Sequence, residues 1–270
     1  MEAWAILLPA FCVGALMIVT HAYLGLHVLS RGIIFIDLAL AQMAALGLSV
    51  AFLFGEEAHG TAAQLYAFGA TLLAAIAFAK LRDLQGKTVR EVTIGCVYVV
   101  ATALSIVILS RSAQGMEELK AMFNGNVLWV RWSEIAVLAV AYAAVALLHV
   151  IFQKRFYALS FDDGGPRPGY LWEFLFFASF AIIITLAVNV AGILLVFAFL
   201  IIPAFSASML AGSFHGRLVV AWAFGIIGSL LGLWLSYIAD LPTGATVVSV
   251  FGAFPLVAVV LRAVTGRRQG

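Results

Sequence analysis

Three polar side chains near the start of the chain have the chemistry to handle a metal cation. Asp37 is the only formally charged residue between Gly32 and Phe54, a stretch that is otherwise largely apolar. A carboxylate inside hydrocarbon costs about 3 kcal/mol on insertion scales, so it normally faces a protein interior, a cation or water. His21 adds an imidazole and Gln42 a weaker carbonyl ligand. Because a carboxylate and a neutral imidazole suit Zn²⁺, Mn²⁺ or Fe²⁺, these residues predict a polar route for a metal ion.

The positions of His21 and Asp37 predict that the two side chains can meet. His21 lies about seven residues before the predicted end of the first helix, and Asp37 about six after the predicted start of the second. With a rise of about 1.5 Å per residue and a tight hairpin through 30–32, both would lie at a depth of about 10 Å. The alternative is structural, with Asp37 accepting hydrogen bonds from His21 or the backbone to hold the hairpin together. For Gln42 the structural interpretation is favoured.

The composition defines the elements that must position these residues. Hydrophobic residues make up 64% of the 270-residue chain and charged residues only 10%, and the mean hydropathy is +1.12. These values lie outside the range of soluble globular domains. The apolar stretches have the length of about 20 residues that a membrane-crossing helix requires, and the alternation of a β-barrel is absent. The sequence therefore predicts an all-α, polytopic membrane bundle.

Nine membrane helices are predicted from the apolar stretches. Their bounds are about 3–28, 33–54, 62–81, 92–110, 132–152, 172–189, 192–213, 218–238 and 244–263. The segments on either side of residues 189–192 form either two helices or one broken helix, so eight is the alternative count. No soluble domain interrupts the chain, which predicts a single transmembrane domain over residues 1–270.

The basic residues predict the orientation of the bundle, because cytoplasmic loops retain Lys and Arg. If the chain crosses nine times, twelve of its fifteen Lys and Arg residues fall in one set of loops. The other set contains only Arg111, Lys120 and Arg131. The N-terminus is therefore predicted outside and the C-terminus in the cytoplasm. This bias accounts for the net charge of +2, which gives no sign of nucleic-acid binding.

No motif in the sequence supports catalysis or nucleotide binding. Gly86-Lys87-Thr88 resembles the end of a phosphate-binding loop, but Leu81 stands where that loop needs a glycine. The HExxH and GxSxG motifs are absent, and the five histidines are scattered. We therefore expect a transport subunit and not an enzyme, with any ATP hydrolysis on a separate subunit.

Two polar segments are candidates for contact with partners. Segment 153–171, on the predicted cytoplasmic side, combines basic and aromatic residues with Asp162-Asp163 before a Gly-Gly-Pro turn. This pattern predicts a short amphipathic helix that either docks into a soluble partner or simply connects two membrane helices. On the opposite side, Asp240 and Thr243 flank Pro242. They either contact a partner or a gate, or form the turn alone.

Six segments of the chain together resemble the permease subunits of zinc, manganese and iron ABC importers, the ABC-3 family. They occur in the family's order at 32–47 (GIIFIDLALAQMAALG), 90–97 (REVTIGCV), 123–129 (FNGNVLW), 157–164 (YALSFDDG), 192–208 (GILLVFAFLIIPAFSAS) and 236–246 (SYIADLPTGAT). No single segment is specific. Six in register across most of the chain are strong evidence for the resemblance.

The resemblance implies a homodimer in the bacterial inner membrane that joins two ATPase subunits and an extracytoplasmic metal-binding protein. Membrane lipid is a further partner. No permanently bound cofactor is implied, since ATP belongs to the ATPases and the divalent metal ion is transported. In the family, the loop matching 157–164 contains the coupling helix. The residues implied in ATPase coupling are therefore Tyr157, Ser160, Phe161, Asp162 and Asp163.

The predicted metal route departs from the family pattern. The family's second helix commonly carries an aspartate and, four residues later, a histidine. Here Leu38 and Gln42 occupy those positions, and Asp37 is one residue earlier, a rotation of about 100° around the helix. The expected function is import of a divalent metal ion by alternating access, with zinc favoured and manganese or iron as alternatives. The rival interpretations are a self-sufficient secondary metal transporter or channel, and a cobalamin- or siderophore-type ABC permease.

Overall fold

Every regular element in the described part of the chain is a helix, which confirms the predicted all-α class. The computed structural model describes residues 2–56, 60–83, 86–111, 115–125, 127–161, 166 and 168–265. In chain order, α1 to α11 are Glu2–Arg31, Ile36–Leu53, Thr61–Lys80, Lys87–Leu109, Gly115–Asn124, Trp132–Ile151, Gln153–Ser160, Tyr170–Leu210, Phe214–Ala239, Thr243–Phe251 and Ala253–Thr265. Short 3-10 helices, Leu81–Asp83 and Val127–Trp129, follow α3 and α5.

Eight segments among the described residues are long and apolar enough to cross a membrane, with α10 and α11 together forming one of them. This count agrees with the prediction of eight to nine membrane helices, and the two segments predicted on either side of residues 189–192 are joined in one broken helix. The 41-residue α8 contains both predicted segments and is interrupted at Gly192, whose φ of 76° and ψ of 161° are non-helical. A positive φ is accessible to glycine because it has no Cβ.

The helices form two compact units. The Asp37 unit consists of Ser30–Phe123 and Ala143–Asn189, and the His21 unit consists of Met1–Leu29, Asn124–Tyr142 and Val190–Gly270. Each unit is built from tightly packed membrane helices. The candidate functional residues fall in both.

In the Asp37 unit, α2 packs against α3 and α4. A Cβ on Gly47 of α2 would lie 2.5 Å from the carbonyl oxygen of Tyr66, so only glycine allows α3 to approach this closely. Thr71 of α3 forms a hydrogen bond of 2.9 Å with Thr185 of α8. Apolar side chains gain little by moving from lipid into a helix interface, because lipid tails are also apolar. Small residues and polar contacts of this kind therefore hold membrane helices together.

In the His21 unit, α9 packs against α10 through a pair of glycines. A Cβ on Gly228 would lie 2.3 Å from the Phe251 ring, and one on Gly232 would lie 2.7 Å from Cα of Val247. This GxxxG pair therefore serves close packing within the subunit. Gly25 of α1 is equally restricted, since its Cβ would lie 2.0 Å from the carbonyl oxygen of Leu200 in α8.

Candidate functional site

Asp37 is buried in the first turn of α2. It is 1% exposed, and within the described part of the chain neither carboxylate oxygen has a hydrogen-bond partner. Buried polar groups are normally hydrogen-bonded, so this carboxylate is an exception. The positive end of the helix dipole favours negative charge at this position. Both oxygens are therefore available to a cation.

The helix bounds change the expected relation between His21 and Asp37. Since α1 continues to Arg31 and α2 begins only at Ile36, the connecting turn is 32–35 and not 30–32. His21 is then about 15 Å from the end of its helix, whereas Asp37 is about 1.5 Å from the start of its own. The equal depth from which we predicted their pairing is wrong. The two residues also belong to different units, and contact between them stays a prediction.

His21 is fully buried on α1, and one of its ring nitrogens has no hydrogen-bond partner in the described ranges. Its Nδ1 lies 2.8 Å from the Met17 carbonyl oxygen, which accepts a hydrogen bond, so Nδ1 carries the proton. Among the described residues Nε2 has no hydrogen-bond partner. The ring also lies 5.9 Å from the Tyr142 ring. A neutral imidazole with a free Nε2 lone pair is the usual form in which histidine binds a metal.

Gln42 is also buried on α2, 1% exposed, and its Nε2 is without a partner among the described residues. It follows Asp37 by five positions, which corresponds to about 140° around the helix, so the two side chains leave α2 on different faces. Within the described ranges, no three His, Cys, Asp or Glu side chains are grouped as a metal site. The role of Asp37, His21 and Gln42 in a metal route stays a prediction.

The predicted amphipathic helix of segment 153–171 is present as α7, Gln153–Ser160. Phe156 and Leu159 are buried, whereas Tyr157 is 40% exposed. The Tyr157 ring stacks on Phe161 with 4.7 Å between centroids. One face of α7 thus packs on the protein and another presents an aromatic surface. Asp162 and Asp163 lie outside the described residues, and the role of this segment in ATPase coupling stays a prediction.

Phe156 fastens α7 to two membrane helices. Its ring stacks on His149 of α6 at 3.9 Å and meets Trp172 of α8 edge to face at 5.9 Å. The His149 ring is itself held by a 2.9 Å hydrogen bond between its Nε2 and Oγ of Ser179. Buried aromatic clusters of this kind dominate local packing energy. A movement of α7 cannot leave α6 and α8 unaffected.

A buried ion pair that no sequence pattern predicted lies beside this helix. Arg31, expected only as a loop cation, pairs with Glu173 in the first turn of α8. The guanidinium also lies over the rings of Phe176 and Phe177, at 4.7 and 4.9 Å from their centroids. The partners are 142 positions apart, so no local spacing could have revealed them. The one available signal was a glutamate at the start of an apolar span.

Asp240 and Thr243 line a cavity of about 330 Å³ whose other lining residues include Asn124, Gly125, Leu128 and Trp129. Asp240 ends α9 with a positive φ of 49°, a conformation that Asp tolerates better than most residues. The hydroxyl of Ser236 donates to the Leu241 carbonyl oxygen at 2.7 Å and lies 3.0 Å from Oγ1 of Thr243. Turn formation therefore explains Thr243. Contact with a partner or a gate stays a prediction for both residues.

Eight long apolar helical segments in the described part of the chain, with a short surface helix between two of them, define a multi-pass membrane protein. The model of the ABC 3 transport family matches residues 3–262. The chain belongs to the ABC 3 transport family, which confirms the resemblance seen in the sequence.

Named relatives and a solved structure agree with this assignment. The manganese transport system membrane protein MntC of Listeria monocytogenes is 28% identical over 237 residues, covering 86% of this chain and 82% of the relative. A probable iron transport system membrane protein of Haemophilus influenzae is 25% identical, covering 84% and 80%. The structure of PsaBC from Streptococcus pneumoniae in complex with Fab has a similar fold, with a TM-score of 0.75, 23% identity and coverage of 93% and 89%.

Proposed function

We propose that this chain is the permease subunit of an ABC importer that moves a divalent transition metal ion into the cytoplasm. The observation that carries the proposal is the buried carboxylate of Asp37, which lacks a hydrogen-bond partner among the described residues in a chain of the ABC 3 transport family. An unpaired buried carboxylate is costly, and a passing cation is the partner that would compensate it.

Manganese and iron are the leading substrates. The names of two relatives, 28% and 25% identical, refer to manganese and iron transport. A carboxylate with few neighbouring nitrogen ligands suits these ions, whereas zinc, favoured from the sequence, usually takes four ligands rich in nitrogen and sulfur. Zinc therefore becomes the third candidate.

The proposed assembly is a homodimer of this chain with two ATPase subunits and an extracytoplasmic binding protein. ATP would bind to the ATPases, while this chain holds no permanent cofactor. The N-terminus would be outside and the C-terminus cytoplasmic, with α7 facing the ATPase. The exposed Tyr157 beside the buried Phe156 supports this arrangement, because a docking helix needs one anchored face and one presented face.

Transport would then proceed by alternating access. The binding protein delivers the ion at the outer face, and the ion passes buried polar groups such as His21 and Asp37 before it is released inside. Few ligands suit this task, since a transport site must bind weakly enough to release its ion. ATP-driven closure of the ATPases would move α7 and thereby change the helices that enclose the route.

Metal uptake in cells and membrane vesicles tests the proposal. Cells that lack this chain should grow poorly in chelated medium and should be rescued by manganese or iron(II), each supplied alone. In vesicles from cells that contain the complete transporter, uptake should require ATP and persist when the proton gradient is dissipated. Uptake that follows the proton gradient would instead favour a secondary transporter, and absence of uptake of all three metals would exclude the proposal.

A further inference from the structure

The turn between α1 and α2 is tied to the helices on both sides of the loop that follows α7. The hydroxyl of Ser30 donates a hydrogen bond to the Ser160 carbonyl oxygen at the end of α7. Arg31 forms its ion pair with Glu173 at the beginning of α8. The side chains of Arg31 and Glu173 are 4% and 0% exposed. A buried ion pair compensates its own desolvation only in one favourable geometry, so it fixes the turn against α8.

Packed aromatic rings provide a second connection between α7 and the turn. The Phe156 ring of α7 lies 6.5 Å from the Phe176 ring of α8. The Arg31 guanidinium covers that same Phe176 ring at 4.7 Å from its centroid. Protein interiors are close-packed and nearly incompressible, so a displacement at one end of such a row is passed on. A hydrogen bond, an ion pair and packed rings thus connect α7 and the beginning of α8 to the same two residues, Ser30 and Arg31.

The opposite end of the turn begins the helix that carries Asp37. Phe35 is the N-cap of α2, and its backbone N–H donates to Glu91 of α4 with a distance of 3.0 Å. Asp37 follows only two positions later. The turn of residues 32–35 is therefore short and is held at each end. Because so short a turn can absorb little displacement, a shift of Ser30 and Arg31 is passed on to the first turn of α2.

We infer that Ser30, Arg31 and Glu173 are positioning residues that pass the movement of α7 to the Asp37 end of α2. The inference rests on the proposed function, in which an ATPase moves α7. When α7 is displaced, the turn moves with it as one body, and the first turn of α2 changes its position relative to the ion. The three residues contact no ion themselves. They link ATP-driven movement to the state of the metal route.

The number of metal ions moved per ATP hydrolysed separates this role from simple stabilisation. In proteoliposomes that contain the complete transporter, Ser30→Ala and Glu173→Gln should retain ATP hydrolysis while the metal-to-ATP ratio falls. The expected fall is about 2- to 30-fold, the range over which residues along a coupling route act. A stabilising role would lower the amount of active transporter, so that both rates decrease together and their ratio stays constant.

Matched variants keep the test decisive. Thr71→Val removes the buried hydrogen bond to Thr185 in the same unit but lies outside the proposed connection, and its metal-to-ATP ratio should equal that of the unmodified protein. Glu173→Gln leaves the Arg31 charge buried without its ionic partner, which can prevent folding. Ser30→Ala deletes a single hydrogen bond and is expected to fold, so it provides the result if Glu173→Gln does not.

A cross-link tests whether the turn and α7 move together. Ser30→Cys and Ser160→Cys, in a chain whose Cys12 and Cys96 are replaced by alanine, can be joined by a short bifunctional thiol reagent. The joined protein should have the metal-to-ATP ratio of the unmodified protein, since the cross-link replaces the hydrogen bond that Ser30→Cys removes and the two segments move as one body. Loss of transport on cross-linking, or an unchanged ratio in Ser30→Ala, would overturn the inference. If the unmodified transporter shows no ATP-dependent metal uptake, it is the proposed function that fails.

Discussion

Asp37 is a charge that the fold buries at a helix terminus without a hydrogen bond from the described residues. The dipole of α2 stabilises a negative charge there by about 0.3–2 kcal/mol. A carboxylate buried in the protein without a hydrogen-bond partner costs several kcal/mol. The dipole therefore covers only part of the cost, and a bound cation would supply the remainder.

Replacing Asp37 by asparagine should separate transport from stability. Asp37→Asn keeps the shape of the side chain and removes its charge. Metal uptake should therefore fall by at least about tenfold, because losing even a residue that only supports a metal ligand usually costs that much. Thermal stability should be unchanged or higher, because an uncompensated buried charge is gone. Uptake by vesicles and thermal unfolding of the purified protein measure the two effects.

The control for this change is Ser49→Ala on the same helix. The Ser49 hydroxyl is buried and, among the residues that the structure describes, bonds only to the Ala45 carbonyl oxygen of its own turn, at 2.8 Å, so uptake should be retained. If Asp37→Asn lowered stability and uptake in parallel, Asp37 would be a structural residue that holds the hairpin. Normal uptake in that variant would exclude Asp37 from the metal route.

At the scale of helices, two neighbouring aromatic residues of α7, the exposed Tyr157 and the buried Phe156, are expected to have different roles. Tyr157→Ala should weaken ATPase binding by about tenfold, since exposed aromatic anchors contribute strongly to interfaces, and should leave the stability of the chain unchanged. Phe156→Ala should lower stability by about 3–5 kcal/mol, because it empties the space against His149 and Trp172. Pull-down of the ATPase and thermal unfolding distinguish them. Equal effects of both changes on stability would contradict the assignment of faces.

The break in α8 depends on glycine at two facing positions. Gly125 has a φ of 61° and Gly192 of 76°, and a Cβ on Gly192 would lie 2.3 Å from the backbone nitrogen of Gly125. Gly192→Ala should therefore lower the melting temperature, with about 1–3 kcal/mol lost to backbone strain alone. Gly69→Ala is the control, since a Cβ there meets nothing within 4 Å. An unaltered melting temperature for Gly192→Ala would show that the break tolerates a side chain.

The membrane helices and their small-residue packing positions could be predicted from the sequence. The partners of polar groups that lie far apart in the chain could not. Apolar length identified the membrane helices because hydrocarbon thickness fixes it. The start of α2 was placed three residues early, since Ile33 to Phe35 are as apolar as the helix that follows them. The pair of Arg31 and Glu173 depends on how α1 and α8 pack. Local pattern contains no information about such a contact.

For the whole molecule, α8 decides how the chain is threaded through the membrane. At about 1.5 Å per residue, its 41 residues would extend about 60 Å if straight, twice the hydrocarbon thickness of about 30 Å. Divided at Gly192, its parts measure about 33 and 27 Å, each close to one crossing. Two crossings by α8 also agree with the distribution of basic residues, which puts twelve of fifteen on one side.

Single cysteines at positions before and after α8 test this topology directly. In a chain without Cys12 and Cys96, Gln153→Cys and Ser213→Cys should both be labelled only from the cytoplasmic side by a membrane-impermeant thiol reagent, because two crossings return the chain to the side on which it began. Asp240→Cys, one crossing further, should be labelled only from outside. These three positions are exposed, so accessibility to the reagent depends on the side and not on burial. If positions 153 and 213 react from opposite sides, α8 crosses once, and the N-terminus and C-terminus then lie on the same side of the membrane.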